Sequence, residues 1–431
     1  MYICDNIGNC EGHLTFAGID TTLLAEKYGT PLYLMDEDKI RENCRIYKNA
    51  FTKYFGENAL PLFASKSASF KRLYEIMAEE KMGIDVVSSG EVYTAIKAGF
   101  DLKNAYFHSN NKTDFDIEFA IQNGIGYFVV DNIQELERIN FEAGKQGKKQ
   151  DILLRLTPGI DPHTFEAIST GKVDSKFGSA IETGQAEIIT CQALEMENIN
   201  LCGFHCHIGS QIFETEPFYK AAEVMLEFIS LIKEKYCYEI SQLNLGGGYG
   251  VRYTNNDPVF DIDGSIKQVA KSIKEICEIK KLSIPKILME PGRSIVANAG
   301  MTLYTAGTVK EIPGFKSYVS IDGGMTDNPR YALYKADYTV LNASKADKTP
   351  DFKCSVVGRC CESGDIIQEN VNLVKPTRGE IIAVCTTGAY NYSMASNYNR
   401  VGKPPVIMLS KGKDYIAVKG ETLEDIVRND I

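Results

Sequence analysis

The sequence predicts a (β/α)8 barrel followed by a β-rich domain. From residue 60 onward, short apolar runs alternate with amphipathic stretches. Eight such units fall within roughly 230 residues, the usual extent of a (β/α)8 barrel. After residue 300 the alternation gives way to short β-rich runs separated by Gly, Pro and Lys. A doubly wound open sheet shares this periodicity and is the second architecture it allows. At 431 residues the chain exceeds one small core and favours two domains.

The apolar runs lie at 60–64, 84–87, 105–107, 127–130, 152–156, 201–205, 243–245 and 287–289. Their unbroken apolar character suits strands covered on both faces, as in a parallel sheet. The segments between them read as helices. "TEPFYKAAEVMLEFISLIKEKY" sets Phe218, Ala221, Ala222, Met225, Phe228, Ile229 and Ile232 on one face. "NIQE" at 132–135 and "SIKQ" at 265–268 have the form of capping boxes. Gly99, after "VYTAIKA", suits a left-handed helix terminus. Beyond residue 300, "LYTAGTVKEI", "KSYVSIDGG", "FKCSVVG", "EIIAVCTTGAY", "PPVIMLSKG" and "DYIAVKGE" predict an antiparallel second domain, which the strand in "TPLYLMD" joins. The expected domains are 36–298 for the barrel and 1–35 plus 299–431 for the β-rich part.

Hydrophobic residues at 44% and charged residues at 24% describe an ordinary globular protein. A net charge of −10 argues against nucleic-acid binding, which needs clustered Lys and Arg. Twelve scattered cysteines frame no disulfide scaffold, so a reducing, cytoplasmic setting is expected. The start, "MYICDNIGNCEGH", lacks the apolar core of a secretory signal, and no apolar run suits a membrane span.

The ends of the predicted strands are unusually polar. Lys66 closes "PLFASKS", and Asp85 and Glu91 lie in "GIDVVSSGE". "GFHCHIGSQ" carries His207, Gly209, Ser210 and Gln211; "LNLGGGYG" carries Gly246, Gly247 and Gly248; "ILMEPGR" carries Glu290, Gly292 and Arg293. In a barrel, functional groups gather at this end of the strands. A lysine in an apolar setting has a lowered pKa and a free amine for Schiff-base chemistry. A glycine-rich turn exposes backbone N–H groups to an anion such as a phosphate, to which Ser210 and Gly292 can add. His207 is either a satisfied core histidine or a flat surface for a cofactor ring. Five histidines without His–Cys–carboxylate spacing argue against a zinc site. Glu290 at a strand mouth can hold a proton on a pyridine-type nitrogen, while Arg293 serves a bound anion.

Taken together, "FASKS", "HCHIGSQ", "LNLGGGYG", "EPGR", "CESGD" at 361–365 and "GAYNYSMASNYN" at 388–399 resemble the diaminopimelate decarboxylase family, in order, from about residue 10 to 410. That family has the alanine-racemase-like fold and uses pyridoxal 5'-phosphate. The resemblance implies that Lys66 is the Schiff-base lysine and that His207 stacks on the ring. It implies that Ser210, Gly247, Gly248 and Gly292 hold the phosphate and that Glu290 meets the pyridine nitrogen, with Asp85, Arg293 and Tyr390 also contacting the cofactor. Arg293, Arg330, Tyr334 and Tyr390 resemble substrate contacts, Glu362 the partner of the distal amine, and Cys361 the proton donor after loss of CO2. The "CESGD" loop implies a homodimer with shared sites.

The family's substrate needs one carboxylate unclamped at the reacting carbon and the other firmly anchored, a task suited to two guanidiniums. Three departures stand out: Arg359 and Cys360 before Cys361, Asn391 after Tyr390, and the residues after Lys66. Cys360 competes with Cys361 for the acid role. The rival readings are a carboxynorspermidine or other basic amino-acid decarboxylase, a racemase on the same barrel, and a catalytically dead regulator. The retained Lys66 and Cys361 speak against the last.

Overall fold

The computed structural model describes residues 2–160 and 175–431. Eight parallel strands form the barrel: β1 (Ala59–Ala64), β2 (Gly83–Val86), β3 (Ala105–Phe107), β4 (Tyr127–Val130), β5 (Gln150–Thr157), β6 (Ile199–His205), β7 (Gln242–Asn244) and β8 (Lys286–Met289). Each pairs with the next in chain order, β4 pairs β5, and β8 returns to β1, so the sheet closes and leaves no edge among these eight. The doubly wound alternative is excluded by that closure. Every pairing is parallel, so all eight carboxyl ends share one rim.

The observed strands lie within a few residues of the apolar runs because β-branched and aromatic residues facing both the interior and the helices leave little room for polar positions. Leu62, Tyr106, Val129, Leu153 and Leu288 fill the interior. Tyr106 stacks on Tyr127 at 4.4 Å and donates from Oη to Gln242 Oε1 at 3.0 Å. The helix Glu216–Tyr236 buries all seven residues of its expected apolar face.

Capping differs from expectation in two places. Asn132 caps its helix by accepting from the Glu135 N–H at 3.0 Å, but the Glu135 carboxylate turns instead to Lys112 at 2.7 Å. The helix expected to start at Ser265 starts at Ile262, with Asp261 accepting from the Gly264 N–H at 3.0 Å. Asp261, an equally good cap lying earlier in the chain, starts the helix and places Ser265 inside it.

The second compact unit comprises residues 1–43, 251–259 and 293–431; the barrel unit comprises 44–250 and 260–292. The segment 251–259, expected within the barrel range, therefore groups with the β-rich unit. Its large sheet is mixed, not purely antiparallel as expected, while a separate small sheet of Ile7–Cys10, His13–Phe16 and Ile19–Asp20 is antiparallel. Ser317–Ile321 runs parallel to Phe352–Val357, and Leu32–Asp36 runs parallel to Val406–Ser410. Each parallel pair is joined by a long stretch of chain, which lets the strand re-enter in the same direction. Leu32–Asp36 also pairs antiparallel with Gly300–Glu311, which places the N-terminal strand in this sheet. Leu32, Leu34, Met301, Leu303, Ala383, Ile407 and Leu409 form its core. No described helix is long and apolar enough to cross a membrane.

Candidate active site

Glu290 follows β8 and is 7% exposed. Asn244, at the end of β7, donates to its Oε1 at 2.6 Å, and Oε1 also lies 2.8 Å from His108 Nε2. His205, at the end of β6, reaches Oε2 at 3.3 Å. Burial alone would raise the Glu290 carboxyl, but His108 and His205 outweigh it and hold the group well below the usual range. Burial pushes His205 down to about 4, so its imidazole is neutral at pH 7 and acts on Glu290 as a hydrogen-bond donor. Asn244 Oδ1 accepts from the Gly246 N–H at 2.9 Å and thereby ties the carboxylate to the glycine turn.

Lys66 lies in a short turn, Ser65–Ser67, directly after β1, and its side chain is exposed. Its charge acts on Asp85, Glu91 and His207. The apolar surroundings considered for this lysine are therefore not what it has: it is exposed, and its charge acts on Asp85 of β2 and on Glu91 of the helix Ser89–Lys97. Asp85 is fully buried, which raises its carboxyl, and its Oδ1 has no hydrogen-bond partner among the described residues. Burial, reinforced by Asp85, pushes Glu91 up to about 7. Its Oε2 accepts from the Val87 N–H at 2.7 Å and Ser65 Oγ at 3.1 Å.

The turn after β7 leaves no room for side chains. A Cβ on Gly247 would meet the Glu290 carbonyl oxygen at 2.1 Å, and Gly248 has φ +118° with the Gly209 carbonyl oxygen 2.4 Å from its Cβ position. The Gly247 N–H donates to His207 Nδ1 at 3.3 Å. Burial, with Lys66 and Arg155 nearby, keeps His207 well below its ordinary value, so its ring is neutral. Ser210 lies at the turn after β6, and Gly292 follows Glu290 and Pro291.

These residues fit pyridoxal phosphate: an amine, a side-chain-free turn for an anion, a neutral flat imidazole and a buried carboxylate kept anionic. Two buried polar atoms in this group, Asp85 Oδ1 and His205 Nδ1, lack partners among the described residues, as expected of a pocket built around a polar group. His108, His205 and Glu290 also bring ligand-capable atoms within 4.8 Å of one another. The argument against zinc rested on spacing along the chain, which does not register such a grouping.

In the β-rich unit, Arg293 and Arg330 are 8% and 6% exposed. Arg293 Nη1 donates to Tyr253 Oη at 2.8 Å, and its Cζ lies 4.6 Å from the Tyr390 ring centre. Arg330 Nη1 donates to Tyr338 Oη at 3.0 Å, and its Cζ lies 5.0 Å from the Tyr253 ring centre. Both guanidiniums thus touch one phenol. Glu290 and Arg293 have different partners, three residues apart in sequence though they are. Tyr390 has φ +55°, and the side chain of Asn391, fully buried, holds that turn by donating to the Thr387 and Ala389 carbonyls at 2.8 and 3.1 Å. Asn391, a departure from the family pattern, therefore braces Tyr390. Tyr334 ends the short helix Arg330–Tyr334 and is 39% exposed.

The "CESGD" loop joins the strands Phe352–Val357 and Ile366–Leu373. Asp365, buried, accepts from the Met325 N–H at 2.6 Å and the Cys360 N–H at 2.7 Å, and so fixes the loop despite Arg359 and Cys360. Cys361 and Glu362 are exposed, whereas Cys360 is partly buried. Burial and the neighbouring Asp365 push the Cys360 thiol up to about 11.

Sequence reasoning missed His108, His205, Asn244, Tyr253 and Tyr338. The signals were "HSNNK" directly after the third apolar run, the first histidine of "HCHIGSQ", and the asparagine of "LNLGGG". No local signal marked Tyr253 or Tyr338.

Residues 37–297 match the pyridoxal binding domain of the pyridoxal-dependent decarboxylases. The chain is 43% identical over 423 residues to diaminopimelate decarboxylase of Bacillus subtilis (strain 168), covering 98% of this chain and 96% of that protein. Its fold superimposes on the M. jannaschii diaminopimelate decarboxylase in complex with L-lysine with a TM-score of 0.92 at 35% identity, covering 100% of this chain and 99% of that one. The Helicobacter pylori diaminopimelate decarboxylase complexed with L-lysine gives 0.85 at 31% identity, covering 95% and 98%. With the carboxylate and glycine turn of its barrel rim, the chain belongs to the pyridoxal-dependent diaminopimelate decarboxylase family.

Proposed function

We propose that this chain decarboxylates meso-2,6-diaminopimelate to L-lysine and CO2, the last step of lysine biosynthesis. The observation that carries this reading is the pair of buried guanidiniums, Arg293 and Arg330, both in contact with Tyr253. Two guanidiniums suit a substrate with a carboxylate remote from the reacting carbon; a simple basic amino acid gives the second nothing to hold. The L-lysine bound in the M. jannaschii and Helicobacter pylori structures supports lysine as the product.

When bound, pyridoxal phosphate supplies the electron sink for the carbon that loses CO2. Lys66 would hold the cofactor through its amine. Glu290 holds a proton at the ring nitrogen, and the neutral His207 covers a ring face. Backbone N–H groups at Gly247, Gly248 and Gly292, with Ser210 and Tyr390, bind the phosphate, while Asp85 faces Lys66. Arg293, Arg330 and Tyr334 orient the distal carboxylate, Glu362 binds the distal ammonium, and Cys361 returns a proton to the reacting carbon. In this reading the exposed Cys361 and Glu362 serve the site of a second copy, so the working form is a homodimer. The twelve free cysteines support a reducing, cytoplasmic location.

CO2 release should be measured across meso-diaminopimelate, carboxynorspermidine, L-lysine and L-ornithine. Turnover of meso-diaminopimelate well above the others, with lysine formed in equal amount, is expected. Faster turnover of any other member would replace this reading.

A further inference from the structure

We infer that Tyr253 is a positioning residue for substrate specificity: its phenol sets the spacing of the Arg293 and Arg330 guanidiniums that grip the distal carboxylate. This rests on the substrate reading above and extends it to a residue outside the family motifs quoted from the sequence.

The backbone of Tyr253 is fixed on both sides. Its N–H donates to Asp257 Oδ2 at 2.9 Å, and its carbonyl accepts from the Thr339 N–H at 3.1 Å and Thr339 Oγ1 at 2.8 Å. The side chain is 5% exposed. Its oxygen accepts from Arg293 at 2.8 Å, its ring face lies 5.0 Å from the Arg330 Cζ, and the Tyr338 ring meets it edge-on at 5.4 Å. The hydrogen-bond acceptor of Arg330 is itself a phenol, Tyr338 Oη, and among the described residues no carboxylate lies within ion-pair distance of Arg330. A buried guanidinium satisfied by neutral phenols keeps its charge available to an incoming anion.

The same packing makes the anchor sensitive to pH. The charged and titratable groups facing the Tyr253 phenol are Arg293, Arg330 and Tyr338. Burial would raise the phenol, but Arg293 and then Arg330 outweigh it and hold it below the ordinary tyrosine value. Once ionised, the phenolate neutralises part of the cationic pair and competes with a substrate carboxylate for the same donors.

The test compares wild type, Tyr253→Phe and Arg330→Ala from neutral to alkaline pH. Tyr253→Phe should raise KM for meso-diaminopimelate at neutral pH by about tenfold, the cost of one charge-assisted bond, with a smaller change in kcat. Wild-type KM should climb with alkalinity more steeply than that of Tyr253→Phe. If Arg330→Ala raises KM while Tyr253→Phe leaves both KM and the alkaline climb at wild-type values, Tyr253 has no positioning role. If Arg330→Ala leaves KM unchanged, the substrate reading itself fails. A second measurement needs no turnover: ultraviolet titration of the holoenzyme with pimelate as a non-reacting dicarboxylate. Pimelate should move one phenol ionisation, absent in Tyr253→Phe, to higher pH; no movement would overturn the inference.

Discussion

Replacing Glu290 with glutamine removes a charge and little volume. In the wild type, Oε1 accepts from Asn244 at 2.6 Å and lies 2.8 Å from His108 Nε2, while Oε2 is 3.3 Å from His205 Nε2. A glutamine keeps one acceptor, so Asn244 stays satisfied, but its NH2 then faces the His205 edge. His205 is neutral at pH 7, and its buried Nδ1 has no partner among the described residues, so the imidazole can change tautomer and accept. The fold should therefore survive. The loss is the anion that holds a proton on the cofactor ring nitrogen. A charge-assisted hydrogen bond contributes about 1.5–3 kcal/mol. At 1.36 kcal/mol per factor of ten, kcat should fall roughly 10- to 150-fold. Single-turnover CO2 release on the cofactor-loaded variant measures this step, with the absorption spectrum reporting that cofactor is present. A rate within about twofold of wild type, at full loading, would refute the assignment of Glu290.

Cys361→Ala should slow turnover about a hundredfold with the cofactor still bound, as expected for loss of a proton donor, while Cys360→Ala changes it little; the reverse order in steady-state assays would transfer the role to Cys360. Arg330→Ala should raise KM for meso-diaminopimelate at least tenfold and weaken binding of cadaverine, a diamine without the distal carboxylate, far less; equal effects on both would remove Arg330 from carboxylate selection. Glu91 has a folded value of about 7 against an ordinary 4.5, so the folded chain keeps a proton that the unfolded chain has lost in that window. Stability should decline as pH rises from 4.5 through 7, by up to about 3 kcal/mol. Glu91→Gln should flatten that decline in thermal melts at pH 5 and 8, and an unchanged pH slope would contradict the burial argument.

The barrel strands were legible because a strand buried on both faces is an unbroken apolar string, and eight such strings alternate with helical segments; closure rather than an open sheet was read from the structure. Strand direction in the β-rich unit was less legible. Ser317–Ile321 and Phe352–Val357 look the same in sequence whether they pair parallel or antiparallel. The rim residues that follow their strands, such as Lys66 and Glu290, carried a signal in their position. Partners recruited from distant strands did not. His205 and Glu290 are 85 positions apart and Asn244 and Glu290 46, and their meeting depends on barrel closure. Tyr253 lies in the segment 251–259, which groups with the β-rich unit although both flanking stretches belong to the barrel. No local pattern encodes that departure.

The most direct test is borohydride reduction of the purified yellow holoenzyme followed by peptide mass mapping. The prediction is a phosphopyridoxyl group on the peptide containing Lys66, with no such label and no yellow colour in Lys66→Ala. Label on a different lysine, or colour retained by Lys66→Ala, would contradict the account.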